Sequence, residues 1–123
     1  MEIKGNKALG RLGEEMACDF LQSRGHRILE RNWQGGHLEV DIISEGPDGV
    51  HFVEVKSRMA SSEEAPEQKV DARKQRRISD AAVRYLRAQG SEQEVFFDVV
   101  SVLFEGSSTI VRYFPQAWIP IYA

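Results

Sequence analysis

Two β-rich runs, Leu38 to Ser44 and Val50 to Ser57, flank Gly46-Pro47-Asp48-Gly49, and no other feature constrains the fold of this chain as strongly. Proline presets a turn φ, glycine takes the conformations a tight reversal needs, and aspartate bonds its own backbone, so the segment predicts an antiparallel hairpin. Alternation then assigns the faces. Leu38, Val40 and Ile42 share one side of the first strand, and Glu39, Asp41 and Ile43 the other. In the second strand Phe52, Glu54 and Lys56 point one way, while Val53 and Val55 point the other. Residues two apart stand about 7 Å from each other on a strand, so Glu54 and Lys56 project together. Pairing the strands brings Asp41 near Glu54.

Charges on a sheet face suit two readings. One is a solvated Glu/Lys pair, which is common on hairpins. The other is a site that uses the charges, because burying them without partners costs several kcal/mol. Phe52 on the same side favours a half-buried face and therefore the second reading. Mg²⁺, or Mn²⁺, takes oxygen ligands, and Asp41, Glu54 and the backbone carbonyl of Val55 supply such a set at one strand edge. Lys56 then stands where an amine orients or deprotonates water and offsets charge on a pentavalent phosphorus. The pattern predicts metal-assisted phosphodiester hydrolysis.

Around the hairpin the chain reads in order. Leu9, Leu12, Met16 and Phe20 recur at helical steps, predicting a helix from Lys7 to Arg24 that Gly25 stops. Gly10 and Gly13 inside it suggest a closely approached backbone, at a cost near 1 kcal/mol each relative to alanine. A helical wheel puts Glu14 on the margin of the apolar arc, Glu15 toward solvent and Cys18 on the exposed side. Arg27 to Trp33 reads as extended, with Gly35-Gly36 as a turn or bulge before the hairpin. Residues 59–67 read as a mobile flap. A second helix is expected from Lys69 to Gln89, closed by Gly90, with Ile78, Ala81, Ala82, Tyr85 and Leu86 on its apolar arc. Strands at Val95 to Phe104 and Thr109 to Phe114 complete the order.

The second helix is basic. Arg73, Arg76, Arg77, Arg84 and Arg87 crowd its polar side and read either as a solvated face or as a grip on a phosphate backbone. Lys74 lies within the apolar arc with Gln75 beside it, so one or both reach toward the acidic face of the hairpin, or Lys74 snorkels out past the helix end. His26, His37 and His51 show no pairing with the carboxylates, and His51 points away from Glu54. Asp98, inside an apolar strand, reads as a buried hydrogen-bonding partner for a neighbouring loop.

Bulk properties set the class. With 123 residues and 41% apolar content, one domain over residues 1–123 with its own core is expected. A single cysteine excludes an internal disulfide, and no Cys/His spacing fits structural zinc. No stretch is apolar and long enough for a signal or a membrane span, which makes a cytoplasmic protein the expectation. A net charge of -3 argues against generic coating of nucleic acid, although a local basic face is compatible with it.

Gly13-Glu14, Ala17, Leu21, Gly25, Asn32-Trp33, Glu39-Val40-Asp41, Phe52-Val53-Glu54-Val55-Lys56-Ser57-Arg58, Lys74-Gln75 and Phe97-Asp98-Val99-Val100 together resemble the YraN-like family of bacterial proteins. The resemblance covers nearly the whole chain in order. It implies a restriction-endonuclease-like α/β core, similar to Holliday-junction resolvases, with a central mixed sheet of about five strands flanked by helices. By resemblance Asp41 and Glu54 hold Mg²⁺, Lys56 assists the water and Glu14 holds a metal or its water, while Glu39, Lys74 and Gln75 support the site. Arg58, Arg73, Arg76 and Arg77 are the expected nucleic-acid contacts. The implied partner is DNA, branched or damaged, met by a homodimer because such substrates are two-fold symmetric. Two other readings stay open: a non-cleaving nucleic-acid-binding module that uses the basic helix, and a protein-interaction adaptor.

Overall fold

A computed structural model describes residues 5–60 and 69–120, the side chains of Gly5 and Asn6 excepted. The elements are α1 (Gly5–Ser23), β1 (Arg27–Gly35), β2 (Leu38–Gly46), β3 (Gly49–Met59), α2 (Ala72–Gln89), β4 (Val95–Glu105) and β5 (Ser108–Phe114). Element order is as read from the sequence. Of the flap at 59–67, Met59 ends β3, and residues 61–67 lie outside the described residues.

The five strands lie side by side in sequence order. β1, β2 and β3 form an antiparallel meander, β3 and β4 run parallel with α2 between them in the chain, and β4 turns back antiparallel into β5. The sheet is therefore mixed, as expected. α1 covers one face, packing Leu9, Ala17, Cys18 and Leu21 on Ile42, Val53, Val100 and Val102. α2 covers the other, where Ile78, Ala81, Ala82 and Tyr85 meet Val40, Ile43, Phe52, Phe97 and Val99.

Small residues set how α1 docks. Gly13 and Ala17 face the sheet, and a Cβ on Gly13 would lie 2.9 Å from the Cβ of Ser57, so the close approach read from this glycine is real. Gly10 has open space where its Cβ would be and marks no such contact. The helix is rolled so that Gly13, Ala17 and Leu21 lie at the contact, with Leu12 and Met16 on its flank. That roll carries Cys18 inside at 5% exposure, correcting its placement on the exposed side. Gly25 at φ 87 ends the helix, with the His26 amide bonded to the Leu21 carbonyl.

α2 begins three residues later than the apolar period suggests. The Asp71 side chain accepts from the Lys74 amide at 2.8 Å, capping a helix whose first residue is Ala72. Val70, just before the cap, is buried in the core and cannot continue a surface helix.

Candidate active site

The β2–β3 pairing stops just before Asp41, at Ile42↔Val53. On the other side the β1–β2 register runs on without a shift, from Arg31↔Ile42 to Trp33↔Val40. Asp41 thus lies past the last β2–β3 pair while β2 stays paired with β1 to either side of it. Asn32, opposite it in β1, has φ 52, a conformation asparagine tolerates better than most side chains. The strict alternation read from the sequence also fails here: Val40 and Ile43 pack in the α2-side core, whereas Ile42 packs under α1. The change of face coincides with the left-handed Asn32 and the end of the β2–β3 pairing.

The open edge is filled by the Asp41 side chain. Its Oδ2 accepts the Val55 amide at 2.9 Å, the bond that a continued ladder would have given to the Val40 carbonyl. The N–H and C=O of one strand residue point the same way, so the Val55 carbonyl faces this opening as well. Asp41 contacts Glu54, and burial first, then the hydrogen bond and charge of Glu54, push the Asp41 carboxyl up to about 8 against opposition from the Val55 amide and Lys74.

Glu54 is 4% exposed and forms an ion pair with Lys74, Nζ to Oε2 at 2.8 Å. The ammonium lies off the hydrogen-bonding directions of that oxygen, which has no aligned donor. Burial works against the charge on Lys74, but the charge of Glu54 outweighs it and holds the pKa above the ordinary lysine value. Lys56 shifts the other way: burial lowers it, Glu54 opposes, and Lys74 and Arg58 add to the lowering. Lys56 thus lies in the field of Glu54, as its shared strand face requires.

Glu14 approaches from α1. Burial raises its pKa first and the charge of Asp41 second, while a hydrogen bond from Asn32 opposes both. Glu14 thus lies in the field of Asp41. Glu39 lines a cavity of about 120 Å³ together with Val40, Asp41, Val53, Glu54, Lys74 and Ile78. A groove of about 460 Å³ lined by Glu39, Asp71, Arg73, Lys74, Arg77 and Ile78 shares Glu39, Lys74 and Ile78 with that cavity. Arg77 also donates to the His37 carbonyl at 3.2 Å, tying α2 to the β1–β2 turn.

Other expected residues lie elsewhere. Gln75 turns its amide to the Val70 carbonyl at 2.7 Å, fixing the entry to α2, so of the Lys74/Gln75 pair it is Lys74 that reaches the carboxylates. Arg76 lines neither the cavity nor the groove. Arg58 stands half-buried further along β3, opposite Leu103. No three His, Cys, Asp or Glu side chains among the described residues form a ready-made metal-binding group.

A second polar cluster escaped the sequence reading. Asp98, fully buried, accepts from His51 Nδ1 at 2.6 Å, the Tyr113 hydroxyl at 2.5 Å and the Gln116 amide at 3.0 Å, as its place in an apolar strand suggested. His51 Nε2 lies 2.8 Å from Asp48, and the His26 and His51 rings pack 4.5 Å apart. This meeting of histidines has no local signal, because His26 stands just before β1 and His51 lies on β3.

These features define an α/β protein with a buried carboxylate pair at the frayed edge of a β-hairpin in a mixed sheet. The chain belongs to the uncharacterised protein family UPF0102, which matches residues 13–102 and is the group that its motifs resemble. Among similar proteins, a UPF0102 protein of Trichlorobacter lovleyi is 40% identical over 118 residues, covering 94% of this chain and 93% of the relative. One from Syntrophomonas wolfei is 37% identical over 114 residues, covering 92% and 99%. Among solved structures, Pyrococcus furiosus SfsA in complex with Ca²⁺ aligns with 89% of this chain at 20% identity and a TM-score of 0.35, and the chain spans 62% of that protein's length. Among the described residues, no helix is long and apolar enough to cross a membrane.

Proposed function

We propose that this protein is a Mg²⁺- or Mn²⁺-dependent phosphodiester hydrolase acting on nucleic acid, with DNA as the first substrate to test. The observation that carries this reading is Asp41, which lies past the end of the β2–β3 pairing, takes the Val55 amide on its side chain and stands against the buried Glu54. Two carboxylates held in contact resist carrying two negative charges without a further cation, and a Glu54 oxygen has no aligned donor. Such a set fits a hard divalent cation, for which two carboxylates, a backbone carbonyl, water and substrate phosphate are usual ligands. Asp41, Glu54 and the Val55 carbonyl are the proposed ligands, with Glu14 positioned toward Asp41 to hold a ligand water. The bound cation supplies a Lewis acid at the scissile phosphate and a water nucleophilic at neutral pH.

The remaining work falls to the chain. Lys56, whose proton affinity burial lowers, accepts a proton from the attacking water or hydrogen-bonds to a developing phosphate oxyanion. Glu39 borders the carboxylate cavity, and Gln75 fixes the base of α2. Arg73 and Arg77 in the groove, with Arg58 and Arg76 further out, hold the phosphates to either side. A branched or damaged substrate and a homodimer are the finer parts of this proposal.

The test is incubation of purified protein with junction, flap and single-stranded DNA plus Mn²⁺, beside Asp41→Ala and Lys56→Ala. Products are expected from the wild type only, with each substitution lowering the rate by at least about 10²-fold. Cleavage that survives both substitutions overturns the assignment. Metal-independent DNA retention with a steep salt dependence and no products marks a binding module instead.

A further inference from the structure

We infer that Lys74 is an exchangeable stand-in for the divalent cation, and that its release into the neighbouring groove couples cation binding to the binding of a nucleic-acid phosphate. This rests on the reading of Asp41 and Glu54 as cation ligands. It adds a positioning role for a residue that geometry alone would assign to a structural salt bridge.

Three observations carry it. The ammonium stands 2.8 Å from Glu54 Oε2 but off the ideal hydrogen-bonding directions of that oxygen, so charge more than directed hydrogen bonding holds it there. The Lys74 side chain is 57% exposed while Glu54 is 4% exposed, so the lysine enters from solvent with an open way out. Lys74 lines both the carboxylate cavity and the larger groove, which share Glu39 and Ile78 as walls.

Only the side chain needs to move. The Lys74 backbone is fixed by the Asp71 cap, and a four-carbon stem carries a compact charge that makes no planar fork with a carboxylate. Once Asp41 and Glu54 hold a divalent charge, the ammonium is repelled from that place. Rotated into the groove, it joins Arg73 and Arg77 and makes three cations facing one backbone phosphate. Lys74 therefore reports to the groove whether the cation site is filled. Linkage requires the reverse effect to be equal: a phosphate that draws Lys74 outward tightens cation binding by the same factor.

The experiment uses Ca²⁺, to limit cleavage, and a short single-stranded thymidine oligonucleotide, with calorimetric titration of each in the presence and absence of the other. In the wild type each ligand is expected to tighten the other about tenfold. Lys74→Met is expected to bind Ca²⁺ about tenfold tighter than the wild type without DNA, and to lose most of the mutual effect. Lys74→Arg retains the charge, and with it the fold should the methionine variant fail to fold. Its guanidinium grips a carboxylate with two parallel bonds, so Ca²⁺ is expected to bind more weakly than to the wild type. Circular dichroism and the Ca²⁺-induced rise in Tm give readouts that do not depend on cleavage. Wild-type Ca²⁺ affinity in both lysine variants, with Asp41→Asn abolishing Ca²⁺ binding, overturns the exchange and leaves the cation site standing. No Ca²⁺ binding by the wild type overturns both.

Discussion

Asp98 lies wholly inside the protein and receives hydrogen bonds from a histidine, a tyrosine and a backbone amide, so its carboxyl oxygens are satisfied by the fold itself. His51 is held between this carboxylate and Asp48. Burial alone favours the neutral ring, but the hydrogen bonds to Asp98 and Asp48 outweigh it and raise the pKa above 6.5. The neighbouring His26 shifts down, through burial first and the charge of His51 second, with Asp98 and Asp48 opposing and Arg24 adding to the lowering. A histidine whose folded pKa is raised contributes stability that is complete below its unfolded value and lost as pH rises through the folded one. The thermal stability of the wild type is therefore expected to fall above about pH 6.5, and His51→Gln to show a flatter decline over the same range. Parallel profiles for the two proteins would remove His51 from the account.

Two glycines of α1 separate helix propensity from packing. In an exposed helix position, Gly→Ala gains about 0.5–1 kcal/mol, and Gly10, with open space around it, is expected to show this gain. At Gly13 the same change drives a Cβ into the Ser57 side chain. The expected result is a net loss of about 1–3 kcal/mol in Gly13→Ala, the scale of overpacking, measured by urea unfolding. A double-mutant cycle with Ser57→Gly assigns the cause: the loss shrinks when the opposing side chain is removed. Equal gains at both glycines would mean that α1 does not dock as closely as the structure has it. This contact matters for the site because Ser57 follows Lys56 on β3 and Glu14 follows Gly13 on α1, so the same approach sets the distance between helix and hairpin.

At the scale of the molecule, one sheet divides two cores, and the segment after β5 closes the α2 side. The Ala117 amide bonds to the Phe97 carbonyl at 2.7 Å, and Trp118 stacks on Phe97 with centroids 5.2 Å apart. Trp118 is 8% exposed, and its indole N–H has no partner among the described residues. Trp118→Ala is expected to cost about 3–5 kcal/mol by chemical denaturation. Trp118→Phe keeps the stacking and removes a polar group that gains nothing from its surroundings, so it is expected to cost less than about 1.5 kcal/mol. Similar losses for both would show that the indole N–H is satisfied after all.

Local periodicity determined much of this protein: the order of elements, the hairpin and its turn, the glycine stops after both helices, the shared face of Glu54 and Lys56, and the inward arc of Lys74. Each depends on neighbours within a helical turn or along one strand, which is the range that sequence pattern encodes. The resemblance to a family added the roles that spacing left open. Tertiary structure alone decided the rest. It ended the β2–β3 pairing beside Asp41, rolled α1 onto Gly13 and Ala17 so that Cys18 is inside, turned Gln75 to Val70, and brought His26 against His51. Those outcomes follow from where ladders stop and how closely small residues let layers approach, distances between segments that no single stretch of chain carries.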